Sequence, residues 1–203
     1  MGSISDTAGP TAGQPVLLHA CCAPCSAAVV ERMLAEDLKP TVFFCNPNIH
    51  PLKEWEIRRD ELIRYLDKLH VPCQIDDDDH GAWLEAVKGM EEEPERGTRC
   101  LKCMEMRMER TAEWAARNGF RWFTTTLSSS RWKDWGQICA AGNKAEKRNP
   151  GTLFWERSWR KGGLQERRAA LLRSEGFYNQ QYCGCEFSEQ AMLKRMAKHG
   201  KEA

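Results

Sequence analysis

Five short apolar runs, separated by stretches of helical periodicity, constrain the fold of this chain more than any other feature. The runs are VLLHA after Gln14-Pro15, then TVFFCNPNI, VPCQI, RWFTTTL and TLFWER. Each has strand length, is apolar and often β-branched or aromatic, and lies beside Pro, Gly, Asn or Ser turn signals. Between them, the segment from Ser26 to Lys39 is helical in pattern, with Ser26 the expected N-cap. Residues 53–69 place Trp55, Ile57, Leu62, Tyr65, Leu66 and Leu69 mostly on one face. Further helices are expected around 83–87, from Cys100 to Asn118 with Gly119 at C′, and over 131–148, 163–175 and 188–199. Strands alternating with helices predict an α/β fold, a mostly parallel sheet flanked by helices with a helical C-terminal part. Ligands of such sheets bind beyond the carboxyl ends of the strands. The expected strand tips there carry Cys21-Cys22, Cys45-Asn46 and Thr126–Ser130.

At 203 residues the chain can bury a core as a single domain, expected over 16–203. Residues 1–15, MGSISDTAGPTAGQP, read as a disordered leader. They have neither a basic n-region nor an apolar h-region, so they are not a signal peptide. No apolar run reaches the roughly 20 residues of a membrane span, so a cytoplasmic protein with no membrane partner is expected. The net charge of +1 neither favours nor excludes nucleic acid, since a basic face can hide in a balanced total.

In a reducing compartment ten cysteines point to metal binding or redox chemistry rather than to structural disulfides. Three of them, Cys45, Cys73 and Cys139, stand alone and read as small buried thiols. The others form three groups: Cys21, Cys22 and Cys25; Cys100 and Cys103; Cys183 and Cys185. Cys100-Leu-Lys-Cys103 at a helix start brings two thiolates to the positive end of a helix dipole, as two ligands of one metal centre require. Six or seven thiols exceed what one tetrahedral zinc uses, whereas four could hold a cubane cluster and leave two or three for other work. The close pair Cys183-Gly184-Cys185 suits a readily reduced disulfide or one thiolate on a second metal. A plain zinc site with spare cysteines is the alternative reading. One member of the run Asp76–Asp79 could ligate a ferrous ion or supply a proton, the rest being solvated.

The segments LLHACCAPCS, EPERGTRCLKCMEMRMERTAEWAARNGF, FTTTLSSS and YNQQYCGCEFS, in that order, resemble the QueH family of epoxyqueuosine reductases over about residues 16–188. The resemblance implies a fold like that of the adenine-nucleotide α-hydrolases (HUP-like), with the dicysteine turn where related enzymes keep a phosphate loop. It implies an oxidoreductase of queuosine biosynthesis that reduces epoxyqueuosine at the tRNA wobble position, with iron–sulfur chemistry and no cobalamin. It matches Cys21, Cys22, Cys100 and Cys103 to the ligands of a 4Fe-4S cluster, and Cys183 and Cys185 to a redox-active pair. A mononuclear iron held by a spare cysteine (Cys25, Cys183 or Cys185) and an aspartate is a further option. Asp79, four residues before Trp83, is the nearest match to that aspartate. The implied partners are tRNAs with GUN anticodons (Asp, Asn, His and Tyr acceptors) and an unidentified electron donor. Two departures from the family pattern are Ser130-Arg131-Trp132-Lys133 and Asn179-Gln180.

Removing an epoxide oxygen as water takes two electrons and two protons. The basic stretch Arg131, Lys133, Arg157, Arg160, Lys161, Arg167 and Arg168, interleaved with Trp132, Trp155 and Trp159, supplies candidate phosphate contacts. Two rival functions are a zinc-stabilised tRNA-binding module and an iron–sulfur tRNA sulfur-transfer enzyme. The second would need an SGGxDS-type loop where this chain has CCAPCS.

Overall fold

The computed structural model describes residues 9–77 and 79–199. Most of the expected leader, and Asp78 of the acidic run, therefore lie outside the described residues. Gly9 sits against the Trp155 indole, and the Gly13 amide donates to the Asp37 carbonyl at 2.6 Å just before the first strand opens at Pro15.

All five expected strands form, in one fully parallel sheet. They are β1 (Pro15–Ala20), β2 (Lys39–Phe44), β3 (Cys73–Ile75), β4 (Trp122–Thr125) and β5 (Leu153–Phe154). Their order is β3-β2-β1-β4-β5, so β1 is central and the strand order reverses between β1 and β4. Seven described helices surround it: α1 (Ala23–Ala35), α2 (Leu52–Lys68), α3 (His80–Ala86), α4 (Thr98–Arg117), α5 (Trp135–Arg148), α6 (Leu164–Ser174) and α7 (Glu186–His199). This is the α/β class expected from the alternation.

The two faces of the sheet explain why the strands read as continuous apolar runs. On one face Val16, Leu18, Val42 and Phe44 pack with Val30 and Met33 of α1, Leu62 and Leu66 of α2, and Trp159. On the other, Leu17, Phe43 and Phe123 pack with Met104 and Met108 of α4 and Ile138 and Ala141 of α5. At Gly142 on α5, an added Cβ would lie 2.3 Å from the Phe154 ring, so helix and strand approach as closely as a hydrogen side chain allows.

Some boundaries differ from expectation. Helix α1 is N-capped by Cys22 rather than Ser26, because Pro24 is preset for a first helical turn and starts the helix earlier. Ser26 lies inside that turn and its hydroxyl donates back to the Cys22 carbonyl at 2.7 Å. Helix α5 starts at Trp135 behind the Asp134 cap, and the Thr-Ser run before it is a 3₁₀ turn, Thr126–Ser129, capped by Thr125. Gly119 follows α4 at φ 74°, the left-handed C′ position expected of it.

Candidate metal centre

The turn after β1 places Cys21, Cys22 and Cys25 at the amino end of α1, with their three sulfurs all within 4.8 Å of one another. Cys22 is the cap residue, yet no side chain bonds the first amides of the helix. The free N–H groups and the helix dipole favour negative charge at these sulfurs. Helix α4 also has no cap side chain, at Gly97, although its first amide, that of Thr98, donates to Glu93 Oε2 at 3.2 Å, and Cys100 and Cys103 occupy its first two turns. The Arg96 amide donates to Cys100 Sγ at 3.3 Å.

Cys100, Cys103, Cys183 and Cys185 line one small cavity of about 20 Å³, together with Asn48, Trp83 and Lys133 among others. Cys103 and Cys185 also share an apolar cluster with Trp83, Val87 and Phe187. All seven clustered cysteines thus fall into two groups at the carboxyl edge of the sheet. Of the solitary ones, Cys45 is in the core as expected and within range of Arg107, whereas Cys73 and Cys139 are half-buried rather than buried, and desolvation pushes both of those thiols up to about 12.

Three cations bind the two groups together. Arg107, buried one turn beyond Cys103, feels the charges of Cys103, Cys21 and Cys183, and donates to Asn46 Oδ1 at 2.5 Å and the Cys45 carbonyl at 3.3 Å. Lys133 Nζ lies 2.6 Å from Cys183 Sγ and also feels Cys100 and Cys103. Arg58 of α2, 1% exposed, pairs with Glu54 at 2.6 Å and donates to the carbonyls of Tyr182 and Cys183 at 3.2 and 3.0 Å. Glu54 in turn accepts from the Tyr178 hydroxyl at 2.9 Å. Gly184, at φ 127°, passes so close that an added Cβ would lie 3.0 Å from Ile49 Cγ1, and its carbonyl accepts from the His50 amide at 2.8 Å. The YCGC segment is therefore clamped onto α2 and the loop after β2.

The charges tune the thiols unequally. Hydrogen bonds from Cys22 and Cys25, aided by Arg107 and Arg58, hold Cys21 well below the usual thiol range. The same sharing drives Cys22 up, and Cys25 up to about 12. Burial opposes ionisation of Cys183, but Lys133 outweighs it and lowers that thiol, whereas burial and the neighbouring Cys183 raise Cys185 to about 11. Behind the sulfurs, His19 Nε2 faces the Cys45 carbonyl at 3.0 Å and Nδ1 faces Thr125 Oγ1 at 2.8 Å. A carbonyl only accepts, so Nε2 carries the proton. Burial, with Arg107 nearby, lowers the imidazole to about 3 and keeps it neutral.

Sulfur-only donors, two helix amino ends and compensating cations suit a thiolate-ligated metal centre. Asp79 lies away from this cavity lining: it caps α3, accepting from the Ala82 amide at 2.9 Å, and α3 then delivers Trp83 to the cavity. Much of the basic stretch is committed internally. Arg157 is bound to Glu36 and stacked over Trp155 and Trp159, Arg167 is bound to Glu31, and Lys133 faces Cys183. Trp159 is fully buried. Arg58, Arg107 and Asn48 were not expected at the site, and Gln180, noted only as part of a departure from the family pattern, reaches Cys22 Sγ with its amide at 3.1 Å. A usable signal existed for Arg107 alone, four residues after Cys103 and so on the same helical face.

A family model described as "Epoxyqueuosine reductase QueH" matches residues 16–191. Curated proteins of that name from Histophilus somni and Acinetobacter baylyi are 46% and 45% identical over 179 residues, spanning 88% of this chain and 74% and 82% of theirs. One from Thermotoga maritima is 33% identical over 187 residues, spanning 91% of this chain and 93% of its own. Among solved structures, a predicted subunit of tRNA methyltransferase from Methanocaldococcus jannaschii is similar at a TM-score of 0.49 and 11% identity, over 76% of each chain.

Proposed function

The chain belongs to the QueH family of epoxyqueuosine reductases, and from that premise we propose how its residues carry out the reduction. It is an oxidoreductase of queuosine biosynthesis, and its substrate is tRNA carrying epoxyqueuosine at the wobble position of GUN anticodons (Asp, Asn, His and Tyr acceptors). The observation that carries the reading is the gathering of seven cysteine sulfurs in two adjoining groups, with Arg107 electrostatically linked to both.

Cys21, Cys22, Cys100 and Cys103 are the proposed ligands of a 4Fe-4S cluster, with no cobalamin. Cys183 and Cys185 are the redox-active pair, and a further iron would draw on Cys25, Cys183 or Cys185 with Asp79. When bound, these centres supply single electrons and a Lewis acid for the epoxide oxygen. Asp79 spends Oδ1 on its cap and keeps a second oxygen, one turn before Trp83, which lines the cavity. The electrons come from a donor protein or reductant still to be identified. Overall the epoxide gains two electrons and two protons, both C–O bonds of the ring break, the alkene forms and the oxygen leaves as water.

The protein's own groups have three tasks. Lys133 Nζ, beside Cys183 in the cavity, is the proposed source of protons for the departing oxygen. Arg58 and Arg107 offset thiolate charge that would otherwise be costly to bury. Trp83 and Met104 line the cavity with apolar surface and keep water from it. No helix among the described residues is long and apolar enough to cross a membrane, which accords with work on tRNA in the cytoplasm.

Iron and sulfide quantitation on anaerobically purified Cys→Ala variants of the seven, with turnover of epoxyqueuosine-containing tRNA, tests the reading. Four variants should lose the cluster, and Cys183→Ala and Cys185→Ala should lose turnover while keeping more of the iron. A colourless zinc protein without turnover would reject it.

A further inference from the structure

Among the exposed large apolar side chains of the described residues, Leu34, Leu52, Ile57, Leu84, Leu193 and Met196 are aliphatic, whereas Trp132, 67% exposed, is aromatic and sits on the loop that delivers Lys133 to the cysteine cavity. The loop is braced. Arg96, from the segment before α4, donates Nε to the Trp132 carbonyl at 3.0 Å and NH2 to the Arg131 carbonyl at 3.2 Å. Arg160, from the other side, donates to the Lys133 carbonyl at 2.6 Å. The Ser130 hydroxyl accepts from the Trp132 amide at 3.2 Å, and Gln137 donates to the Arg96 carbonyl at 2.7 Å. Arg96 itself sits at φ 71°, a backbone conformation that disfavours any side chain. The bracing fixes the backbone and leaves the indole outside. Arg131 stacks its guanidinium 4.9 Å from the ring centroid.

Resting on the proposed function, we propose that Trp132 is the stacking platform for an unpaired base flanking the modified nucleoside, with the cations around it holding the neighbouring phosphates. An exposed aromatic ring with a guanidinium on it, set in a rim of three arginines, matches the two needs of single-stranded nucleic acid, a π-face for the base and positive charge for the backbone. Position supports the same occupant. The next residue, Lys133, lines the cavity, so a nucleotide on Trp132 neighbours the one presented to the sulfurs. The Asp134 carboxylate is turned to the Gln137 amide at 2.8 Å as the cap of α5, so its charge is already engaged.

The test measures binding of a fluorophore-labelled anticodon stem-loop with a GUN anticodon to the anaerobically purified protein. Trp132→Ala should weaken binding about tenfold or more, the loss of one stacked base, while Trp132→Phe keeps most of the affinity. The melting temperature should not change. Stem-loops carrying one abasic residue beside the wobble position complete the cycle: at one flanking position the abasic RNA and Trp132→Ala should each weaken binding, and together cost no more than either alone. Binding by Trp132→Ala within twofold of the parent overturns the proposal, as does full additivity at every flanking position. If RNA affinity and dithionite-driven turnover survive in Trp132→Ala but turnover with a protein electron donor is lost, the surface is a protein-docking site and the proposal fails. A parent protein that binds the stem-loop no better than an unrelated hairpin sinks the functional reading as well, which separates the two failures.

Discussion

Replacing Arg58 with Met removes the cation that ties α2 to the YCGC segment. Arg58 and Glu54 are 1% and 7% exposed, and the guanidinium makes four hydrogen bonds, two to Glu54 Oε1 and one each to the carbonyls of Tyr182 and Cys183. The carbonyl bonds are only part-buried, so water replaces most of what those groups lose. Glu54 has no such relief, and breaking a buried pair from one side costs about 3–5 kcal/mol. For a domain of this size that lowers Tm by about 6–20 °C. Arg58→Met/Glu54→Met removes both charges and should recover at least half of the loss, since an apolar pair of similar volume is often neutral. Thermal melts under anaerobic conditions, with turnover of the modified tRNA alongside, make the comparison. The single variant should lose activity even below its melting temperature, because Cys183 is no longer held beside Lys133. A loss below about 1 kcal/mol in the single variant, or a double variant that melts lower than the single, would refute the clamp.

Three further outcomes follow from the geometry. Asp79→Asn keeps the cap of α3, so its stability should stay within a few tenths of a kcal/mol of the parent while turnover falls; Asp79→Ala should also lose about 1 kcal/mol in urea unfolding. Gly142→Ala drives a methyl into the Phe154 ring and should cost about 1–3 kcal/mol by the same measurement, with iron content unaltered. Cys73→Ala and Cys139→Ser should keep iron and turnover, since burial holds both thiols protonated, whereas Cys22→Ala should lose iron on elemental analysis.

The sheet was legible because its strands are buried on both faces, and that burial writes itself into unbroken runs such as VLLHA and VFF. The cysteine groups were legible because ligands at helix starts lie close in sequence. What sequence could not reveal was long-range pairing. Arg58 and Arg107 read as solvated helix positions until the chain brings carbonyls and thiols from more than sixty residues away against them. For the same reason Arg157 and Arg167 read as phosphate contacts, although Glu36 and Glu31 already hold them. Ser26 was the conventional cap choice, and Pro24 moved the helix start ahead of it.

The clamp on Tyr182 and Cys183 also sets an order of events during synthesis. The sulfurs of Cys21, Cys22, Cys25, Cys100 and Cys103 leave the ribosome long before Cys183 and Cys185 do. Until the segment from Tyr182 to Cys185 emerges, the buried face of α2 carries an ion pair with no carbonyls to hold, and the cavity lacks one wall. A nascent chain is thus a partial thiol cluster open to oxygen and to stray metal. Emergence of Cys183 and Cys185 supplies that wall, so the centre can be completed only once this segment has joined α2.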